Sequence, residues 1–152
     1  MSNCKRNLSP NIQNLKSLES KYQSIIKQAT EARENAYCPY SNFKVGSAVL
    51  CADGSVTAGC NIENSAFPVG ICAERCAYSK AISQGKRQFE AVAVVASQKD
   101  HFTMPCGACR QFMSEFGNVD VFISRPGHED VLVTNLNEIL PFQFQTTDKT
   151  FE

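Results

Sequence analysis

A cysteine and a glutamate lie two residues apart, at Cys72 and Glu74, in the stretch GICAERCAY at 70–78. With Cys72 as a metal ligand at a helix start, Glu74 would lie on the first turn, close to whatever the metal binds. Cys76 follows Cys72 by one helical turn, and this spacing also allows two cysteines to share a metal. The stretch therefore predicts either an open site in which Glu74 moves protons or a closed structural site.

Two further cysteines, Cys106 and Cys109, form a C-x2-C pair after Pro105, where a second helix is predicted to begin. A right-handed crossover through residues 75–104 would bring both helix starts to the same edge of a sheet. Helix N-termini favour thiolates, and three thiolates in a tetrahedral arrangement indicate zinc. Three protein ligands leave a fourth position for water, whose pKa zinc lowers toward about 7.

The charges at this site predict a role for Arg75. Three thiolates on Zn²⁺ leave one net negative charge, which would weaken the acidifying effect on water unless a cation offsets it. Arg75 is the nearest candidate in the sequence, with an ordinary surface arginine as the alternative. Cys-x-Glu followed by Pro-Cys-x-x-Cys is typical of zinc nucleobase deaminases, in which cysteine can replace the usual first histidine.

The elements that must position these residues follow from the hydrophobic pattern. Apolar residues at helical spacing predict a helix from about Leu15 to Ala36, before Cys38-Pro39. Asp53-Gly54 predicts a hairpin turn, and Asn135 with Glu138 predicts a short capped helix. The remaining predictions are helices at 72–84 and 106–116, closed by Gly85 and Gly117, and strands at 89–97, 119–124 and 131–133. Residues 1–13 are predicted to be a flexible tail and 14–152 a single α/β domain, a mixed sheet with helices on its faces.

Composition narrows the classes of partner. The 152 residues include fifteen basic and fifteen acidic side chains, a balance that argues against a nucleic-acid partner held through phosphates. We find no apolar run long enough to cross a membrane, and the polar N-terminus lacks the core of a secretion signal. We therefore expect a cytoplasmic protein without a membrane partner, whose eight cysteines are metal ligands or buried thiols rather than disulfides.

Four motifs in order resemble those of the homotetrameric zinc-dependent cytidine deaminases, in the cytidine/deoxycytidylate deaminase superfamily. They are AYCPYSNFKVGSAVL (36–50), GCNIENSAFPVGICAER (59–75), PCGACRQFMSEFG (105–117) and ILPFQF (139–144). The resemblance implies a three-layer sandwich with a five-stranded mixed sheet, and one zinc per subunit. It also implies hydrolytic deamination of cytidine and deoxycytidine to uridine and deoxyuridine in pyrimidine salvage. The active sites would be shared between subunits of a homotetramer and would take a free nucleoside.

Residue by residue, the resemblance implies that Cys72, Cys106 and Cys109 bind zinc, that Glu74 carries protons and that Arg75 moderates thiolate charge. The implied substrate-binding residues are Phe43, Asn61, Glu63, Ser65, Ala66, Phe67 and, reaching a neighbouring subunit's site, Phe144. The chain departs from the family pattern at Cys76, where threonine is common, and at Phe67, where tyrosine is frequent.

Four alternatives compete with this interpretation. A structural zinc domain would use Cys76 as fourth ligand, and a redox protein would use Cys106 and Cys109 without needing Cys-x-Glu. A blasticidin-S-type deaminase also uses three cysteines, but the NIEN motif at 61–64 favours cytidine. Nucleic-acid-editing deaminases usually have histidine as first ligand and a basic surface.

Overall fold

The computed structural model describes residues 10–145 of the chain. Its strands are β1 (Ile12–Asn14), β2 (Val45–Cys51), β3 (Val56–Cys60), β4 (Phe89–Ala96), β5 (Asp120–Ser124) and β6 (Asp130–Asn135). Its helices are α1 (Ser20–Arg33), α2 (Ala73–Ser83), α3 (Gly107–Ser114) and α4 (Leu136–Ile139). The strands form one mixed sheet in the order β1-β6-β5-β4-β2-β3. The predicted α/β fold with a mixed sheet is confirmed.

The predicted count of five strands is wrong, because β1 adds a sixth. Ile12 and Gln13, which the sequence analysis assigned to the tail, pair antiparallel with Leu132 and Val131 of β6. The strand has three residues and its one apolar side chain, Ile12, is 50% exposed, so it carries no alternating pattern. Residues 1–9 of the predicted tail lie outside the described residues.

Both faces of the sheet are covered, as the continuous apolar run of β4 predicts. Val92 and Val94 pack in a cluster with residues of α2, α3 and α4. Ala91, Ala93 and Val95 point the other way, into a cluster with α1. Because alternate residues of one strand reach two different cores, the sheet is the middle of three layers.

Helix α1 begins later than the periodicity predicts. Residues 15–17 form a 3₁₀ turn capped by the Asn14 side chain, and Leu18 is extended before α1 starts at Ser20. The helix then packs so closely on β2 that a Cβ on Gly46 would lie 1.9 Å from the carbonyl oxygen of Ala29. Only glycine fits at that crossing.

Helices α2 and α3 start at the same edge of the sheet. Strands β4 and β5 are parallel and α3 joins them. Strands β3 and β4 are both antiparallel to β2 and so run in the same direction, and α2 joins them. Each helix therefore begins beyond the carboxyl end of a strand, where open α/β sheets place their sites. Gly85 and Gly117, with φ of 86° and 98°, follow the two helices as predicted.

Among residues 10–145, we find no helix that is long and apolar enough to cross a membrane.

Candidate active site

Three cysteine sulfurs meet where α2 and α3 begin. Cys72 is the residue before α2, Cys106 is the residue before α3, and Cys109 lies on the first turn of α3. The Sγ of Cys106 lies 3.9 Å from that of Cys72 and 3.5 Å from that of Cys109, and all three lie within 4.8 Å of one another. With Zn–S bonds of about 2.3 Å, two sulfurs of a tetrahedral site lie about 3.8 Å apart. The donor set and its spacing therefore fit zinc.

The surroundings of Cys72 favour its thiolate. A hydrogen bond from Cys109 and the guanidinium of Arg75, whose Nη2 lies 3.9 Å from Cys72 Sγ, lower the pKa of Cys72 to about 5 against the opposing effect of burial. The same hydrogen bond and burial raise the pKa of Cys109. Arg75 interacts with both thiols. Arg75 thus lies close enough to Cys72 to offset part of a thiolate charge.

Cys76 points away from this cluster. A Cβ on Gly59 of β3 would lie 3.0 Å from the Sγ of Cys76, so the sulfur packs against the sheet. Within the described part of the chain, the group of side chains that could hold a metal consists of Cys72, Cys106 and Cys109 alone. A closed site with Cys76 as fourth ligand does not fit this arrangement.

Glu74 is buried beside the cysteines, on the first turn of α2. Only 4% of the Glu74 surface is exposed to solvent. Burial, and then the charge of Cys72, raise the pKa of the Glu74 carboxyl above its ordinary value. A raised pKa brings a carboxyl group closer to what general acid–base catalysis requires.

Glu74, Cys72 and Cys106 line a cavity of about 280 Å³. The lining residues are Ser41, Phe43, Val45, Asn61, Glu63, Cys72, Ala73, Glu74, Val94, Thr103, Met104 and Cys106. A second cavity of about 390 Å³ is lined by Tyr40, Ser41, Glu63, Asn64, Phe67 and Gly70. Because Ser41 and Glu63 line both, the two cavities adjoin at the Glu63 carboxylate.

Asn61 lies in the first cavity and also braces its wall. Its Oδ1 accepts a hydrogen bond from the amide of Val45 at 2.8 Å, and its Nδ2 donates one to the carbonyl of Phe43 at 2.9 Å. One amide hydrogen and one oxygen lone pair of the side chain stay available for a ligand. The structure therefore gives Asn61 a positioning task that the sequence did not indicate.

The other residues expected to bind substrate, which are aromatic or small, do not all lie in the same cavity. Phe43 lines the first cavity, and Phe67, 73% exposed, lines the second with its ring edge-on to Tyr40 at 5.6 Å. Ser65 and Ala66 are exposed and line neither cavity. Phe144, 75% exposed, lies beside α3 in a separate cavity with Phe116. The structure thus does not bring Phe144 to the cavity of its own chain.

Several residues that line the site were not predicted from the sequence. Tyr40 and Ser41 lie in the motif at 36–50. Both form hydrogen bonds with Glu63, which is more than twenty residues away in the sequence. Thr103 and Met104 directly precede Pro105. Their position in the loop before α3 could have indicated this, since that loop leads directly to Cys106.

Comparison with known proteins identifies the family. The profile of the cytidine and deoxycytidylate deaminase zinc-binding region matches residues 19–125. The chain is 44% identical to the cytidine deaminase of Sporosarcina psychrophila over 131 residues, 85% of this chain and 95% of that protein. It is 38% identical to the probable cytidine deaminase of Dictyostelium discoideum over 130 residues, 86% and 88% of the two chains. The crystal structure of cytidine deaminase from Burkholderia pseudomallei superimposes with a TM-score of 0.76 at 42% identity, covering 81% of this chain and 98% of that one. The chain therefore belongs to the cytidine and deoxycytidylate deaminase family.

Proposed function

We propose that this protein is a cytoplasmic, zinc-dependent hydrolase of pyrimidine salvage that deaminates free cytidine and deoxycytidine. The products are uridine or deoxyuridine and ammonia. The observation that carries the proposal is that three thiols converge, and that two of them, with the buried Glu74, line one cavity with Asn61 and Glu63. The similar proteins described above are named cytidine deaminases.

The metal would be held by Cys72, Cys106 and Cys109, one zinc per subunit. Bound there, zinc supplies a Lewis acid that lowers the pKa of a water molecule. Arg75 offsets part of the thiolate charge through its contact with Cys72. By this contact the chain would help zinc to lower the pKa of the water.

Glu74 moves the protons of the reaction. It takes a proton from the attacking water and gives it to N3 of the pyrimidine while the water oxygen adds to C4. Glu74 then takes the remaining proton of the added oxygen and gives it to the amino nitrogen, the C4–N bond breaks and ammonia leaves as the C4 carbonyl forms. One water is consumed and one ammonia is released, so the carboxylate ends in its starting state.

The other residues that line this cavity bind the nucleoside. Phe43, Val45 and Val94 give that cavity apolar surface suited to a pyrimidine ring. Asn61 and Glu63 supply polar groups for the sugar, and Ser65, Ala66 and Phe67 complete the proposed substrate set. A site built to bind a sugar hydroxyl discriminates against a free base that lacks it.

The proposed assembly is a homotetramer with active sites shared between subunits. Large apolar side chains stand exposed near the cavities and at the described C-terminal end: Tyr37, Tyr40, Ile62, Phe67, Val69, Phe142 and Phe144. Contiguous exposed apolar surface often marks an interface, and the rings of Tyr40 and Phe67 are in contact here. Phe144 would then complete the site of a neighbouring copy. Light scattering should give four times the mass of one chain, and a monomer would contradict this assembly.

One assay tests the activity. Zinc-loaded protein is given cytidine, deoxycytidine, cytosine, blasticidin S or a cytidine-containing oligonucleotide, and ammonia release is measured. We expect release from the two nucleosides and none from cytosine or the oligonucleotide. Preferred turnover of blasticidin S would favour the related resistance activity, and release from neither nucleoside would overturn the proposal.

A further inference from the structure

We infer that Ser41 is a positioning residue that orients the Glu63 carboxylate toward one hydroxyl group of the substrate's sugar. Ser41 thereby sets part of the enzyme's discrimination among sugars. The inference rests on the proposed function and assigns a residue that the catalytic chemistry does not touch.

The Glu63 carboxylate is held by three donors from one short segment. Its Oε2 accepts hydrogen bonds from the amides of Tyr40 at 3.0 Å and Ser41 at 3.2 Å, and its Oε1 accepts one from the Ser41 hydroxyl. These bonds, the hydroxyl first, lower the pKa of Glu63. The carboxylate is therefore a fixed anion at the junction of the two cavities.

The Ser41 hydroxyl has its direction set by a second contact. It accepts a hydrogen bond from the amide of Phe43 at 3.0 Å. A hydroxyl has one proton and an ionised carboxylate can only accept, so that proton points to Glu63. Asn42 makes this geometry accessible, because its φ of 55° is a left-handed conformation that asparagine tolerates well.

The count of acceptor positions shows what is left for the substrate. A carboxylate offers about four lone-pair positions, and two amides occupy those of Oε2. Oε1 uses one for Ser41 and keeps one. The oxygen free to accept a sugar hydroxyl is thus the oxygen that Ser41 orients, and the available capacity suits a single hydroxyl.

The experiment compares Ser41→Ala and Ser41→Thr with the wild type on cytidine, 2′-deoxycytidine and 3′-deoxycytidine. Ser24→Ala, a change at an exposed serine of α1, is the matched control. In Ser41→Ala we expect KM for cytidine to rise about tenfold, because a bond to a charged group is lost, with kcat within about twofold. Zinc content and the circular dichroism spectrum should stay those of the wild type. Ser41→Thr keeps the hydroxyl and should restore KM.

The deoxy substrates separate positioning from a general structural role. For the analogue that lacks the hydroxyl bound by Glu63, Ser41→Ala should change KM by less than about twofold. An equal rise for all three substrates, an unchanged KM for cytidine, or no restoration by threonine would each overturn the inference. A wild type that fails to deaminate cytidine would instead overturn the proposed function, and this inference with it.

Discussion

The guanidinium Nη2 of Arg75 lies 3.9 Å from the Sγ of Cys72, one turn away on the same helix. The Nε of Arg75 is buried and has no hydrogen-bond partner among the described residues. The contact with the Cys72 sulfur partly offsets the cost of this unsatisfied buried donor. The positive N-terminal end of α2 acts on Cys72 in the same direction.

Replacing Arg75 should weaken metal binding. Arg75→Ala removes the cation beside the thiolates, and we expect zinc affinity to fall about tenfold to a hundredfold, as for other groups that support metal ligands. Competition with a chromogenic chelator measures this. Arg87→Ala removes an equal charge beyond the end of α2 and should bind zinc normally. Equal affinity in Arg75→Ala would show that the contact does not tune the site.

Glu74→Gln should separate metal binding from turnover. The amide has nearly the same shape but cannot carry a proton, so kcat should fall at least about a hundredfold while zinc content is retained. Steady-state kinetics and metal analysis on the same sample test this. Glu115→Gln, at an exposed glutamate after α3, is the control. Near-normal turnover of Glu74→Gln would contradict its assignment.

Two cysteine variants test whether the site keeps an open ligand position. Cys109→Ser replaces a converging sulfur and should lose most bound zinc. Cys76→Thr changes a side chain that packs against Gly59, so zinc and activity should both be kept. Metal analysis of the two purified proteins decides the matter, and zinc loss in Cys76→Thr would restore the four-cysteine alternative.

Gly46→Ala should destabilise the fold strongly. The added methyl would lie 1.9 Å from the Ala29 carbonyl oxygen and 2.7 Å from the Arg33 amide nitrogen, so α1 must move away from β2. We expect a loss of about 3 kcal/mol in the free energy of unfolding, measured in urea. Gly107→Ala adds a methyl in open space on α3 and should cause no loss. Equal stability of the two variants would contradict the close packing.

Tyr78→Phe should leave stability equal or raise it. The Tyr78 ring is fully buried among Phe89, Phe112 and Phe116, and its hydroxyl has no partner within residues 10–145. Removing a buried hydroxyl that makes no hydrogen bond avoids its desolvation cost, so we expect a gain of up to about 1 kcal/mol. A thermal melt measures it. A clear loss would indicate that the hydroxyl is satisfied by an internal water.

The convergence of the cysteines was predictable because strand direction dictates where helices begin. Cys72 and Cys106 each precede a helix that joins two strands running in the same direction. The crossover rule alone therefore brings both cysteines to one edge of the sheet. Burial of β4 on both faces was predictable from its continuous apolar run. In both cases a local pattern determines a long-range result.

Strand β1 and Ser41 were not predictable in this way. β1 is held by backbone pairing, and its side chains alternate too weakly to show a pattern. The bond between Ser41 and Glu63 joins two loops, and a serine in a loop has no periodicity to reveal its partner. Phe144 fits the family motif, but in this chain it lines a separate cavity beside α3.

The pairing of β1 with β6 also covers an edge at which a second chain could extend the sheet. An exposed edge strand offers free amides and carbonyls on which a second chain can extend the sheet. Here the amide of Val133 donates to Asn11, and the amide of Leu15 donates to Glu129, so the outer side of β6 is already occupied. The three-residue β1 is very short, and very short edge strands are one way in which proteins discourage pairing with another chain.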